Sequence, residues 1–199
     1  MTVTPDPITI IDTGVANTAS VSSCFKRLGC SVTLTHDAEL VRDAPLVVLP
    51  GVGSFGAGMR ALRSHGLDEV VIERVQQNNP LLGICLGLQL LCLSSEESPR
   101  TKGLGLINTD VTRFPSKVRT PQHGWNRVDD GYAYFSNTYR IESIPQGWSG
   151  KMSEHSGPFV AYLRCGTTLA CQFHPELSGA WGANILKRWI ESSKEVSQC

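Results

Sequence analysis

Residues 80–91 read PLLGICLGLQLL, an apolar stretch in which Cys85 stands between Gly83 and Gly87. A Gly-x-Cys-x-Gly pattern between a buried strand and a helix is typical of a nucleophile elbow, with cysteine in place of the usual serine. The turn is so sharp that the flanking positions have no room for side chains, and it exposes the nucleophile at the strand's C-terminal end. A buried structural cysteine is the alternative, because free cysteines in apolar runs are usually inert. On this stretch alone both interpretations stay open.

The segments around the elbow alternate between strands and helices. In the first half, strands are predicted at 8–12, 31–35, 46–50 and 81–84, and helices at 17–29, 67–77 and 86–93. In the second half, strands rich in Thr, Val, Tyr and Phe are predicted at 106–114, 132–141, 159–165 and 167–173, and an amphipathic helix at 178–193. The alternation predicts a mostly parallel sheet with helices on both faces, followed by an antiparallel extension. No repeat or linker interrupts it, so we expect a single domain over residues 1–199.

The composition excludes several classes of protein. The 199 residues carry 18 basic and 18 acidic side chains, so there is no electrostatic reason to expect nucleic acid or an anionic membrane as a partner. No apolar run reaches the roughly 20 residues of a membrane-spanning helix, and residues 1–10 lack the features of a signal peptide. The seven scattered cysteines suit a reducing cytosol and lack zinc-ligand spacing. We therefore expect a cytoplasmic protein with no metal and no cofactor.

A glycine-rich loop follows the third predicted strand. Residues 49–58, LPGVGSFGAG, contain the spacing Gly51-x-Gly53-x-x-Gly56. A dinucleotide fingerprint normally follows the first strand, with an acidic residue at a strand tip about 20 positions later, and neither condition holds here. Pro50 also removes an amide where a phosphate would need one. The remaining interpretation is a loop that turns backbone N–H groups toward an anion.

A second polar motif, QFHPELSG at residues 172–179, directly follows a predicted strand. His174 has the chemistry of a general base, and Glu176 that of the carboxylate which orients it. Residues two apart on an extended segment point the same way, so Glu176 can reach the imidazole while His174 faces a cysteine. The alternative is a histidine that merely occupies a turn beside proline. Because Cys85 is far away in the sequence, only the fold can bring it to His174.

Together these motifs resemble those of the class I (triad) glutamine amidotransferases, and among them the glutaminase subunits of imidazole glycerol phosphate synthases. The motifs occur in the family's order over nearly the whole chain: DTGVAN (12–17), LPGVGSF (49–55), LLGICLGLQLL (81–91), SEES (95–98), KGLGLI (102–107), GWNRV (124–128), NTYR (137–140) and FHPELSG (173–179). Related glutaminases tend to carry histidine where this chain has Leu88. The resemblance implies the single-domain, flavodoxin-like α/β fold of that family.

The resemblance also implies a role for each site residue. Cys85 would attack the side-chain amide of glutamine, with His174 as general base and Glu176 as its partner. The expected oxyanion hole comprises the backbone N–H groups of Val52, Gly53 and Leu86. The expected substrate-binding residues are Gln89, Glu97, Thr138 and Tyr139. Without the resemblance, Glu97 would be interpreted as a solvated loop charge.

The family passes its ammonia to a separate (β/α)₈ barrel cyclase or synthase subunit, so the resemblance implies a heterodimer. The expected interface residues are Asn17, Trp125, Asn126 and Tyr134. Tryptophan is more often a core residue, but Trp125 lies among turn-forming residues in the sequence HGWN. This context favours an interface.

Three positions depart from the family's usual pattern, namely Asn137, Leu177 and His123. The family commonly has histidine at the first, a basic residue at the second and an apolar residue at the third. None of them belongs to the expected triad, but they leave the identity of the partner open. One alternative is a paralogous glutaminase that supplies another barrel amidotransferase, for example in surface-sugar synthesis. A non-catalytic binding protein is a further alternative, which the intact cysteine, histidine and glutamate disfavour.

Overall fold

The computed structural model describes residues 7–14 and 17–196. Residues 1–6 of the N-terminal stretch, residues 15–16 of the motif at 12–17, and residues 197–199 of the expected domain lie outside the described ranges. No helix within those ranges combines the length and apolar composition that crossing a bilayer requires.

The described residues form twelve strands and six helices. The strands are β1 (Ile8–Ile11), β2 (Val32–Thr35), β3 (Leu46–Gly51), β4 (Leu81–Cys85), β5 (Cys92–Ser95), β6 (Ile107–Arg113), β7 (Gln122–Val128), β8 (Gly131–Asn137), β9 (Tyr139–Arg140), β10 (Ser149–Glu154), β11 (Pro158–Cys165) and β12 (Thr168–Cys171). The helices are α1 (Thr18–Arg27), α2 (Ala38–Asp43), α3 (Phe55–Ser64), α4 (Leu67–Gln76), α5 (Leu86–Leu90) and α6 (Gly179–Val196). A 3₁₀ turn, Pro175–Leu177, precedes α6.

The central sheet of the described chain has the strand order β10-β11-β12-β4-β3-β1-β2. The strands from β12 to β2 are parallel, whereas β10 and β11 add an antiparallel edge. This confirms the predicted mostly parallel sheet with an antiparallel extension. Since the parallel strands share one direction, their carboxyl ends meet at one edge, where the register pairs Gly51 with Cys85 and Cys171 with Ile84.

Helices cover both faces of this sheet because successive strand residues are apolar on both sides. On one face, α1 and α6 pack against the sheet, and the rings of Phe25 and Trp189 lie 6.5 Å apart edge to face. On the other face, α3, α4 and α5 enclose residues such as Val47 and Leu49. Trp189 and Ile190 of the predicted terminal stripe are buried, which confirms that α6 docks on the sheet.

The remaining strands form a small sheet, β5-β6-β9, and the β7–β8 hairpin. Some boundaries differ from the prediction. The helix predicted at 86–93 ends at Leu90, because Cys92–Ser95 turns into β5 and pairs with β6. The strand predicted at 132–141 is interrupted at Thr138. The sequence did not predict α2, α3, β5, β7 or β10.

Candidate active site

Cys85 ends β4 and stands at the junction with α5. Its backbone has φ 54° and ψ −106°, a region that residues with a side chain rarely occupy. Such a conformation costs about 1–3 kcal/mol and persists only where the surroundings hold it. The residue is 7% exposed and lies at the carboxyl edge of the sheet, where it borders a cavity. This geometry agrees with the elbow that the Gly-x-Cys-x-Gly pattern predicts.

The glycines around the elbow permit a close approach between β3 and α5. A Cβ atom on Gly87 would overlap the carbonyl oxygen of Leu49, and one on Gly51 would lie 2.6 Å from Cβ of Leu86. Gly53, in contrast, has open space around it but a φ of +103°, which favours glycine for conformational reasons. The glycine-rich loop thus packs against the elbow and turns beside the cavity.

His174 reaches the elbow from the strand on the other side of β4. It follows β12, and its backbone N–H donates to the carbonyl of Tyr134 over 2.9 Å. Its Nδ1 lies 2.9 Å from Oε1 of Glu176, and the two side chains are only 10% and 4% exposed. The opposite ring nitrogen is therefore the one available to interact with Cys85.

The environment of His174 stabilises a proton on its ring. Burial by itself would lower the pKa of His174. Hydrogen bonds to Cys85 and Glu176, together with the negative charges of these groups, raise the pKa by a larger amount. The net effect raises the pKa of His174 from 6.5 to about 10. An imidazole with this pKa is protonated at neutral pH and can stabilise a thiolate beside it.

A cavity of about 210 Å³ opens above Cys85. Its lining contains every residue that the sequence assigned to the oxyanion hole and the substrate site, together with Cys85 and His174. These residues are Val52, Gly53, Leu86, Gln89, Glu97, Thr138 and Tyr139. Ser136 and Asn137 also line the cavity. Neither was assigned a site role from the sequence, although Asn137 was noted there as a departure from the family pattern.

Glu97 joins the cavity to the start of α3. Its Oε2 accepts a hydrogen bond of 2.6 Å from the backbone N–H of Phe55, and Oγ of Ser98 accepts one of 3.1 Å from Gly56. A carboxylate at a helix N-terminus is favourable, because it satisfies an unpaired N–H group and the helix dipole. Glu97 therefore anchors the end of the glycine-rich loop, a role that the sequence did not predict.

Side-chain amides form the floor of the cavity. The Gln89 amide donates to the Tyr139 carbonyl over 3.3 Å and to Oε1 of Gln172 over 3.0 Å. Nδ2 of Asn137 donates to the same Tyr139 carbonyl over 3.0 Å. The Thr138 carbonyl accepts from the backbone of Phe114. Both carbonyls at the expected Thr138–Tyr139 contact therefore already accept hydrogen bonds from the protein.

A second cavity, of about 230 Å³, shares Val52, Ser136 and His174 with the first. Asn17 and Tyr134, two of the expected interface residues, line it. So do His123 and Leu177, two of the departures from the family pattern. This cavity thus combines expected interface residues with two of the positions noted as departures in the sequence analysis.

The other two expected interface residues lie on opposite faces of the β7–β8 hairpin. Trp125 is 58% exposed, and its ring packs edge to face against Tyr134 at 6.1 Å. Asn126 alternates to the other face, opposite the buried Ala133, and donates to the carbonyl of Glu154. The structure therefore groups Asn17, Trp125 and Tyr134 but not Asn126.

The described residues contain no group of three or more His, Cys, Asp and Glu side chains arranged to hold a metal ion. The chemistry available at the site is that of a thiol beside an imidazole–carboxylate pair. That arrangement is suited to nucleophilic attack on an acyl carbon.

Comparison with known proteins places the chain in a family. The family model described as Glutamine amidotransferase class-I matches residues 9–192. The imidazole glycerol phosphate synthase subunit HisH of Geobacillus kaustophilus is 39% identical over 201 residues, covering 92% of this chain and 95% of the relative. The subunit of the same name from Mycolicibacterium paratuberculosis is 36% identical over 208 residues, covering 94% and 98%.

Solved structures show the same fold at lower sequence identity. A crystal structure of a glutamine amidotransferase has a TM-score of 0.78 at 20% identity, covering 94% of this chain and 98% of the other. A putative GMP synthase component from Thermoplasma acidophilum has a TM-score of 0.72 at 18% identity, covering 98% and 96%. On the family match and the sequence relatives, the chain belongs to the class I glutamine amidotransferases, among the HisH subunits of imidazole glycerol phosphate synthase.

Proposed function

We propose that this chain, as a single amidotransferase domain over residues 1–199, is the glutaminase subunit of an imidazole glycerol phosphate synthase. It hydrolyses glutamine to glutamate and ammonia in the cytoplasm and passes the ammonia to a (β/α)₈ barrel synthase subunit in histidine biosynthesis. The observation that carries the proposal is the position of Cys85, on a strained elbow beside the His174–Glu176 pair and at the edge of a polar cavity.

The first half-reaction acylates the enzyme. The Cys85 thiolate attacks the side-chain amide carbon of glutamine, and the carbonyl oxygen becomes an oxyanion. The backbone N–H groups of Leu86 and of the Val52–Gly53 loop stabilise that charge, and a donor of this kind is typically worth about 3 kcal/mol. Protonated His174 then gives its proton to the departing nitrogen, so that ammonia leaves and a γ-glutamyl thioester remains.

The second half-reaction releases glutamate. His174 takes a proton from water, and the resulting hydroxide attacks the thioester and restores the thiolate. Glu176 holds Nδ1 throughout, so the other ring nitrogen stays directed at the reacting atoms. Glu97 provides the negative charge for the α-ammonium group of the substrate. The Phe55 contact uses Oε2, and the other oxygen has no hydrogen-bond partner among residues 7–14 and 17–196, so it can meet the substrate.

Ammonia would be protonated in bulk water, so a docked partner has to receive it directly. The cavity lined by Asn17 and Tyr134 borders His174, and the exposed Trp125 packs against Tyr134. We assign this side of His174 as the one on which ammonia leaves. The barrel subunit docks over this surface, and adjustment of the Val52–Gly53 loop by the partner couples its binding to glutaminase activity. This is switching by a two-state backbone element.

A second candidate keeps the chemistry and changes the partner. His123 and Leu177 line the cavity on the proposed exit side, although the family usually has an apolar and a basic residue there. The second candidate is therefore a glutaminase that supplies a different barrel amidotransferase.

Co-purification with a histidine-pathway barrel synthase, followed by glutaminase assays with and without the synthase's acceptor substrate, tests the proposal. We expect a stable complex whose ammonia release rises with the acceptor. Cys85→Ala should abolish glutamine-dependent synthesis, while the complex still uses added ammonium salts. Failure to bind this synthase, with stimulation by another barrel enzyme, would favour the second candidate. Absence of ammonia release with every synthase would leave only a binding role.

A further inference from the structure

Gln172 is the immediate neighbour of the nucleophile across the sheet. The parallel register of β12 and β4 pairs Cys171 with Ile84, so the next residue on each chain, Gln172 and Cys85, meet at the carboxyl edge. Gln172 is fully buried, and its Nε2 lies 3.8 Å from Sγ of Cys85, within the longer range of hydrogen bonds to sulfur. A buried amide at this point needs a partner for each of its ends.

The orientation of the Gln172 amide is fixed by a chain of contacts that begins at the backbone. A carbonyl oxygen can only accept, so the Gln89 amide must present its NH₂ group to the Tyr139 carbonyl. The same NH₂ group donates to Oε1 of Gln172. Gln172 therefore has its oxygen toward Gln89 and its NH₂ group toward Cys85. Reversing either amide would set two donors or two acceptors against each other.

A further polar contact of the sulfur has the opposite preference. Sγ of Cys85 lies 3.9 Å from the carbonyl oxygen of Ser136, which can accept a hydrogen bond from the thiol but repels the thiolate. The Gln172 NH₂ group donates and cannot accept, so it stabilises the thiolate. Unlike His174, it never gives up its proton during the reaction. It is therefore a permanent donor to the reacting atom.

We infer that Gln172 is a further catalytic residue, which holds an N–H donor on the Cys85 thiolate and is itself oriented through Gln89 by the Tyr139 carbonyl. The hydrogen bond lowers the free energy of the thiolate both before attack and when the thiolate leaves the thioester. The claim that Gln172 contributes to catalysis rests on the proposed glutaminase function. The claim that Gln172 increases the reactivity of Cys85 is independent of that function.

Two variants of the whole chain test the inference. Gln172→Leu removes the donor at similar volume, and Gln172→Glu keeps the shape but replaces the NH₂ group. A matched control is Gln122→Leu, since Gln122 is also a buried glutamine but lies outside this chain of contacts. Iodoacetamide alkylation of Cys85 is followed by peptide mass spectrometry against pH. The exposed Cys165 serves as an internal reference.

We expect alkylation of Cys85 relative to Cys165 to fall about tenfold at neutral pH in both Gln172 variants. The pH of half-maximal alkylation should rise by about one unit, while Gln122→Leu behaves like the wild type. In the complex with the synthase, kcat for glutamine should fall about tenfold, with a smaller change in KM. A merely structural role would lower the melting temperature without moving the alkylation profile.

Folded Gln172 variants with the wild-type alkylation profile would overturn the inference. If Gln172→Leu does not fold, the isosteric Gln172→Glu gives the answer alone. Alkylation needs neither glutamine nor a synthase, so it tests the hydrogen bond separately from the proposed function. A shifted alkylation profile in a protein without glutaminase activity would refute the proposed function but support the hydrogen bond.

Discussion

The Nδ1 atom of His174 lies 2.9 Å from Oε1 of Glu176, and both side chains are almost completely buried. The 3₁₀ turn Pro175–Leu177 brings the two residues together, so the pair lies within one short segment of the chain. The second carboxylate oxygen of Glu176 is buried without a hydrogen-bond partner among the described residues. The imidazole is therefore the hydrogen-bond partner of the buried carboxylate, and the carboxylate in turn fixes the orientation of the imidazole.

Replacement of this carboxylate tests its role. Glu176→Gln retains a hydrogen-bond acceptor for Nδ1 but removes the negative charge that favours the imidazolium. We expect kcat for glutamine to fall by about 10²-fold with little change in KM, because the loss affects proton transfer more than substrate binding. Glu191→Gln, at an exposed position of α6, is the matched control. Unchanged turnover in Glu176→Gln would argue against a role for the carboxylate.

The raised pKa of His174 predicts how stability depends on pH. A group whose pKa rises on folding, here from 6.5 to about 10, contributes stability that is complete below pH 6.5 and disappears as the pH passes 10. The native state retains the proton in this window while the unfolded chain releases it. Urea unfolding should show the advantage of the wild type over His174→Asn shrinking steadily from about pH 6.5 to about pH 10. A constant difference would contradict the predicted shift.

Gly87→Ala tests the close approach of α5 to β3. The added Cβ atom overlaps the carbonyl oxygen of Leu49, and neither backbone can move without disturbing the central sheet. We expect a loss of about 3 kcal/mol or more in the free energy of unfolding. In Gly66→Ala, the Cβ atom meets open space and the cost is only that of a left-handed backbone, about 1 kcal/mol. Similar losses in the two variants, measured by urea unfolding, would contradict the steric explanation.

A buried arginine holds the turn before β4. The guanidinium of Arg74 donates to the carbonyls of Val41, Arg42 and Pro80 over 2.9 to 3.0 Å. Burial lowers the pKa of Arg74 to about 10. Arg74→Met leaves three carbonyls without this donor and should cost about 3 kcal/mol in unfolding free energy. Arg188→Met, at an exposed position, should change the unfolding free energy little. The folded Arg74 variant should keep its glutaminase activity, since Arg74 does not line the cavity. Wild-type stability of Arg74→Met would show the contacts to be dispensable.

The sequence predicts the elements whose signals are local. Strands β3 and β4 are apolar runs bounded by proline or glycine, and the elbow is a contiguous motif. Helix α3 was not predicted, because Gly56 and Gly58 near its start are poor helix formers. Glu97 and Ser98, 42 residues further along the chain, supply two of its N-terminal hydrogen bonds. Such support cannot be read from the helix's own residues.

The site shows the same division between local and distant information. Cys85, His174 and Glu176 lie in short motifs, so their chemistry is visible in the sequence. The contact of Gln172 with Cys85 arises from the register of two strands, 87 residues apart in the chain. An apolar pattern likewise cannot show that the helix after the elbow ends at Leu90, since the pairing of β5 with β6 decides it.

The covalent intermediate is the most direct test of the account. The complex with the barrel synthase is mixed with glutamine and quenched in acid within one turnover. The protein is then digested, and the mass of the peptide that contains Cys85 is measured by mass spectrometry. We predict that this peptide gains the mass of one γ-glutamyl group, that hydroxylamine removes it, and that Cys85→Ala shows no adduct. Glutamine hydrolysis without an adduct on Cys85, or with full activity in Cys85→Ala, would contradict the proposed nucleophile.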